Sequence, residues 1–248
     1  MFEGFRTARG ILRSLRIYYG GRSRAAAMDR LYGGFVRRGD LVFDVGAHVG
    51  DRVASFRRLG ARVVAVEPQP ALVKVLKLIY GRSADVAIEA VAVGRAVGAT
   101  SMMINADNPT VSTASPAFVS AARDAPGWYT QRWTGSVEVP VTTLDALIIK
   151  HGLPTFIKID VEGFEAEALQ GLSRAVKALS FEFTTIQRDI ARACIERCIA
   201  LGYTRFNAAL GESQAFVNAD WVGGEAIACW LMGLPHAANS GDIYAALA

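Results

Sequence analysis

From Leu41 onward, short apolar runs alternate with segments whose apolar positions recur every three or four residues. Leu41–Val45, Arg62–Val66, Val86–Val93, Thr155–Ile159 and Leu179–Phe183 read as strands. Between them, Arg52–Leu59, Pro70–Tyr80, Glu165–Leu172 and Asp189–Leu201 carry the helical period, and Gly60, Gly81 and Gly202 supply stops. Tyr203–Leu210 and Gln214–Asn218, with Gly211 in the turn, read as a closing pair of strands. This alternation predicts βαβ units and a mainly parallel sheet. The near-continuous apolar strands agree, because parallel strands are buried on both faces.

Two regions depart from that rhythm. In residues 1–40, Phe5, Ala8, Leu12, Leu15 and Tyr19 fall at helical spacing, Arg6, Arg9, Arg13 and Arg16 flank them, and Gly20-Gly21 ends the run. This predicts a basic helical extension. It either packs its apolar face on the domain and leaves a solvated Arg edge, or lies on an anionic membrane or partner. Residues 98–143 form a polar insertion within the domain spanning 41–248. Ser101–Asn105 and Val137–Val141 are its candidate strands. Long irregular insertions in compact domains are usually functional or disordered. Asn105–Trp133 is expected to cover a substrate side, with Trp128 and Trp133 either stacking on a sugar ring or forming a satellite core.

Composition narrows the class. With 52% hydrophobic and 20% charged residues the chain can bury a core, which excludes a disordered protein. No apolar run approaches the roughly 18–20 residues of a membrane span, and the first residues lack the pattern of a secretory signal. Residues 1–40 hold nine Arg against three acids, a net of +6, which leaves −2 for the remainder of a chain whose total is +4. The body is therefore not a nucleic-acid surface. Three cysteines, Cys194, Cys198 and Cys229, fit free thiols in a reducing cytoplasm.

Three motifs carry candidate chemistry. In LVFDVGAHVGDRV a strand runs through Asp44 into Gly46 and Gly50, and a helix starts near Asp51. Glycines allow close backbone approach, and a helix N-terminus offers free N–H groups. The spacing lacks the third glycine of a dinucleotide fingerprint. Glu67 ends the next strand, seventeen residues after Gly50, where a carboxylate can grip both hydroxyls of a ribose. In FIKIDVEGFEAEALQGL, Asp160 and Glu162 leave a buried strand at the sheet's carboxyl edge, where ligands bind in open α/β folds. A carboxylate there can orient a hydroxyl, take its proton or hold a metal. Glu165 and Glu167 read as helix-start residues. His151 and His236 read as loop or packing histidines.

In order, Asp44-Val45-Gly46-Ala47-His48-Val49-Gly50, Glu67-Pro68-Gln69-Pro70, Thr143-Leu144-Asp145 and Lys158-Ile159-Asp160-Val161-Glu162-Gly163-Phe164-Glu165 resemble the FkbM family of S-adenosylmethionine-dependent methyltransferases. The resemblance spans about Leu41 to Gly202, and His48 stands where the family usually has Asn. It implies a class I, Rossmann-like fold, with a mainly parallel seven-stranded sheet and helices on both faces. It implies S-adenosylmethionine as donor and O-methylation of a hydroxyl on a sugar, glycan or natural product. Donor-binding residues would be Asp44, Gly46, Ala47, His48, Gly50, Glu67 and Pro68. Asp160 is the first candidate base, with Glu162 and His48 behind it. Glu182, on Leu179–Phe183, can approach from the side, but no Asp-Asn or Asp-Asp pair closes that strand, so transfer is expected without a metal. Two other readings remain open at this point: a nucleotide-binding oxidoreductase, and a non-catalytic cofactor-binding module of a biosynthetic complex.

Overall fold

A computed structural model describes residues 2–248. Two helices, α1 (Phe2–Tyr19) and α2 (Arg22–Tyr32), precede β1 (Leu41–Val45), α3 (Asp51–Arg58), β2 (Arg62–Val66), α4 (Pro70–Tyr80) and β3 (Val86–Glu89). The chain then forms β4 (Ala92–Val93), β5 (Gly98–Ile104), α5 (Pro116–Arg123), β6 (Gly135–Thr142), α6 (Leu144–His151), β7 (Phe156–Ile159) and α7 (Glu165–Gln170). It closes with β8 (Ala178–Thr184), α8 (Arg188–Ala200), β9 (Arg205–Leu210), α9 (Gly224–Gly233) and β10 (Ser240–Ala246). Local chemistry sets several starts. Pro70 opens α4, and the Ser115 and Thr143 side chains accept the Phe118 and Ala146 N–H groups at the starts of α5 and α6.

Seven strands form one sheet in the order β3-β2-β1-β7-β8-β10-β9. β10 is antiparallel to both neighbours, and the other pairings are parallel. This is the mainly parallel class I methyltransferase arrangement that the resemblance implies. A second sheet, β4-β6-β5, joins the insertion's two strands to β4 just before it.

The closing strand pair is corrected. β9 pairs with β10, thirty residues further on, and Gln214–Asn218 is not a strand. Its Val217 N–H reaches Ala208 O, but the Asn207 side chain takes the next positions by bonding Asn218 through both its amide groups. A side chain thus substitutes for the ladder. Val86–Val93 divides between the two sheets, as β3 and β4. The helices α5, α6 and α9 were not read from the sequence; all three are short.

Alternation along the strands gives the sheet two different faces. Leu41, Phe43, Val45, Ile157, Ile159, Leu179, Phe181 and Ile243 join the core beneath α6, α7, α8 and α9. Val42, Phe156, Ala178 and Tyr244 join a second core with α2 and α3. On this second face the apolar layer stops short of the strands' carboxyl ends. Asp44, Lys158, Glu182 and Asp242 follow in its place, and the register sets Asp44 beside Lys158 and Glu182 beside Asp242.

The N-terminal helix also corrects an expectation. α1 packs through Gly10, Ile11, Ser14, Leu15 and Tyr18, with Gly10 seated on Pro109. Of the stripe Phe5, Ala8, Leu12, Leu15 and Tyr19, Leu15 packs inward and the Tyr19 hydroxyl donates to Val49 O at 3.0 Å, whereas Phe5, Ala8 and Leu12 lie on the exposed side. Among the described residues, no helix is long and apolar enough to cross a membrane.

Candidate active site

The carboxyl ends of β1, β2 and β7 open on one cavity of about 950 Å³, counting its open mouth. Its floor is the turn after β1. Gly46 has φ +86°, and a Cβ at that position would lie 1.7 Å from the Asp160 carbonyl oxygen, so the close approach of β1 and β7 requires glycine. The Gly46 and Ala47 N–H groups donate to Val66 O at 2.9 and 3.0 Å, which ties the turn to the end of β2. His48 also has positive φ, +48°, and its N–H donates to Glu67 Oε2 at 2.9 Å. Gln69 N–H donates to Glu67 Oε1 at 2.8 Å. Glu67 is 2% exposed and therefore held rigidly, with lone pairs left on both oxygens. Burial pushes its carboxyl up to about 7, against the pull of those two N–H groups.

Asp44, also 2% exposed, lines the same cavity, and its Oδ2 has no hydrogen-bond partner. Burial, then the charge of Asp51, pushes it up to about 7. Burial lowers His48 to about 4, so its imidazole is neutral at physiological pH. Its Nε2 lies 3.4 Å from Thr110 Oγ1, and the Tyr18 ring stands edge-on at 5.4 Å. Ala47 and Pro68 line the cavity, but Gly50 does not. Gly50 carries φ +85° at the start of α3, its carbonyl accepts the Tyr80 hydroxyl at 2.7 Å, and an added Cβ would strike Tyr80 and Leu76. Its part is to seat α4.

Asp160 leaves β7 with its N–H on Val45 O at 2.9 Å, and its side chain is 28% exposed toward the cavity. Lys158, 1% exposed, sets its Nζ 3.1 Å from Asp160 Oδ2 and 2.6 Å from Asp242 Oδ1. Burial raises the Asp160 carboxyl, but Lys158 and then Arg52 outweigh it and hold it below the usual carboxylate range. Glu162 is 7% exposed with φ +55°, and among the described residues none hydrogen-bonds its carboxyl. One oxygen each of Asp160, Glu162 and Glu182 lie within 4.8 Å of one another. Burial first, and the Asp160 charge second, raise Glu162 and Glu182 well above the usual range. The site thus sets Asp160, whose ionised form is favoured, beside two carboxyls whose protonated forms are favoured. Three such oxygens are close enough to chelate a divalent cation, although the Lys158 ammonium opposes one. Glu165 accepts the Val161 and Gly163 N–H groups and Glu167 pairs with Arg95, the structural parts expected of them.

The insertion covers this edge. Pro109 O accepts Gln69 Nε2 at 3.1 Å, and Thr113 Oγ1 donates to Glu162 O at 2.6 Å. Of the two placements open for the tryptophans, the structure shows the satellite core. Trp128 is 8% exposed and meets Phe118 edge-on at 5.4 Å, and Trp133 donates to Val111 O. His151 bonds Glu89 and His236 bonds Pro126 O, both away from the cavity.

Sequence reasoning missed Arg52, Tyr18, Thr110, Glu212 and Asp242, and did not weigh Lys158. Lys158 left a signal, a lone charge inside an apolar strand. Arg52 is 12% exposed, bonds Asp51 at 2.7 Å and Glu212 at 3.0 and 3.1 Å, and keeps a buried Nε without a partner. Tyr18 and Thr110 arrive from distant segments and left no local mark.

The sequence model described as methyltransferase FkbM domain matches residues 44–213. No curated protein matches the chain. Among solved structures, it is similar to a TehB-like SAM-dependent methyltransferase from Corynebacterium glutamicum, at 13% identity over 90% of this chain and 88% of that one, TM-score 0.44. It is similar also to precorrin-6y C5,15-methyltransferase from Geobacter metallireducens, at 12% identity over 91% and 87%, TM-score 0.43. A third is a SAM-dependent O-methyltransferase from Thermotoga maritima, at 12% identity over 91% and 65%, TM-score 0.41.

Proposed function

The chain belongs to the methyltransferase FkbM domain family, and from that premise we propose that it transfers a methyl group from S-adenosylmethionine to a hydroxyl on a sugar, glycan or natural product. The cavity's polar groups fit such a donor. Glu67 keeps acceptor capacity for a ribose diol, the unpartnered Asp44 carboxyl suits a cationic group, and the unpartnered Arg52 Nε suits a carboxylate. Gly46, Ala47, His48 and Pro68 complete the wall, and Gly50 acts from behind it.

When bound, the donor supplies a methyl group already activated on a sulfonium. The protein's share is to hold the acceptor hydroxyl in line and to receive its proton. The observation that carries this reading is Asp160, an ionised carboxylate open to the cavity that also contains Glu67. Asp160 accepts the hydrogen bond of the acceptor hydroxyl and takes the proton as the C–O bond forms. Burial and the Asp160 charge favour the protonated forms of Glu162 and Glu182, which lessens repulsion within the cluster, and on this reading no metal is needed. His48, neutral, borders the donor side. The free thiols of Cys194, Cys198 and Cys229 fit a cytoplasmic location.

A screen of labelled methyl transfer against hydroxylated sugars, lipids and polyketides tests the reading. Once an acceptor is found, Asp160→Asn should lower kcat by about 10²–10⁴-fold with donor affinity little changed. Lys158 also bonds Asp242 at 2.6 Å, so that substitution leaves its ammonium a partner. Near wild-type turnover removes Asp160 from the mechanism, and activity that falls with EDTA and returns with Mg²⁺ overturns the metal-free reading.

A further inference from the structure

The outward side of α1 is the wrong way round for a helix that merely covers a core. Its packed side is made of Gly10, Ile11, Ser14, Leu15 and Tyr18, and Tyr19 turns its hydroxyl back onto Val49 O and Tyr80, whereas Phe5 and Leu12 are 74% and 67% exposed. Phe5 and Leu12 sit seven residues, two turns, apart and therefore share one apolar stripe along the helix. Arg9, Arg13 and Arg16, all exposed, run beside it, and exposed Ile17 borders them. No Asp or Glu occurs between Gly4 and Met28. Among the described residues, no ion pair joins Arg9, Arg13 or Arg16 to a carboxylate, although Arg6 is tied to Asp107 and Arg24 to Asp51 and Glu212.

We propose that this face of α1 docks on the surface of an anionic lipid bilayer. An aromatic-aliphatic stripe beside a row of arginines is what an interfacial helix presents. The apolar side chains enter the headgroup boundary while the guanidinium groups meet lipid phosphates. Charge selects this occupant over a second copy of the chain, because the same face of another copy would bring arginines against arginines. The body's charge agrees: residues beyond 40 carry a net of −2, so only the α1 end of the molecule is drawn to the surface. The inward side of the same helix places Tyr18 in the cavity lining. The docking itself stands on the helix face alone and does not depend on the proposed reaction.

Flotation of the full chain with vesicles of phosphatidylcholine, and of phosphatidylcholine with 30% phosphatidylglycerol, tests this directly. Recovery should be high only with the anionic vesicles and should fall as salt rises, since exposed charges are screened. Arg9→Ala/Arg13→Ala/Arg16→Ala should lower partitioning by about 100-fold, at about fivefold for each arginine near an anionic surface. Leu12→Ser, which leaves every charge in place, should also lower it, and unchanged thermal unfolding would show both variants folded. Equal recovery with the two vesicle types overturns the proposal. So does recovery unaffected by Leu12→Ser, which would leave a purely electrostatic contact. A wild-type chain that ignores vesicles but dimerises, with Leu12→Ser monomeric, would assign the face to a second copy instead.

Discussion

Glu67 and Asp44 are buried carboxyls displaced to about 7 by one main cause, removal from water. An acceptor of two hydroxyl hydrogen bonds, or a partner for a cation, is needed in its ionised form. Donor binding should therefore tighten as pH rises through about 7, and should release protons at pH 6. Calorimetry in two buffers of different ionisation enthalpy measures that release directly, and the same observed enthalpy in both buffers would sink the idea. Glu67→Ala should weaken donor affinity by about 1.5–3 kcal/mol through loss of charge-assisted contacts. Unchanged affinity in a folded variant would contradict the assignment. At this scale the sequence was informative wherever a polar residue ended an apolar run, which is how Asp44, Glu67 and Asp160 stood out. It was silent about Arg52, because an arginine in the first turn of a helix looks solvated until Glu212 and Asp51 close around it.

At the scale of elements, the β1 turn and β7 meet so closely that one methyl group decides the outcome. Gly46→Ala sets a Cβ against the Asp160 carbonyl in a backbone region unfavourable to L residues. It should abolish donor binding or prevent folding, and donor binding near wild type would show that the turn can yield. Lys158 joins β7 to β10 across β8, since Asp242 lies opposite Glu182. Lys158→Met leaves Asp242 buried and unpaired and should cost about 3–5 kcal/mol, read from urea midpoints. Adding Asp242→Leu should recover much of that loss, and a double variant no more stable than the single one would refute the pairing argument. The βαβ part of the fold was legible because apolar runs and glycine stops alternate locally. β10 was not. SGDIYAA has a charge and two small residues where a strand signal is sought, and its place between β8 and β9 is fixed by pairing with distant segments. The apolar stripe of α1 stayed between two placements for a related reason. Hydrophobic periodicity identifies an apolar stripe, but not whether protein or some other surface covers it.

The molecule as a whole combines buried acids that prefer to be protonated with a basic helix at one end. Its stability should follow the acids. A carboxyl raised in the folded state contributes stability that is complete below its unfolded value and is lost as pH rises through the folded one. For Asp44, Glu67 and Glu165, each displaced to about 7, that loss runs from about 4 to 7. Groups shifted downward act in the opposite sense, His48 and Glu212 among them. His48, lowered to about 4, withdraws stability as pH falls below about 6.5. Glu212, lowered to about 2 chiefly by Arg52 and Arg24 against the effect of burial, contributes stability above about 4.5 that is lost as pH falls through 2. The donor-free protein should therefore reach its highest Tm on the acid side of neutrality, near pH 5, and decline toward pH 8. Asp44→Asn/Glu67→Gln, which removes two of the displaced ionisations, should flatten the decline without lowering the Tm at pH 5. Differential scanning calorimetry across pH 4–9 on the two proteins decides the matter. A wild-type Tm that climbs from pH 5 to pH 8, or a double variant that follows the wild-type slope, would mean that these carboxyls ionise in the folded state as they do in water.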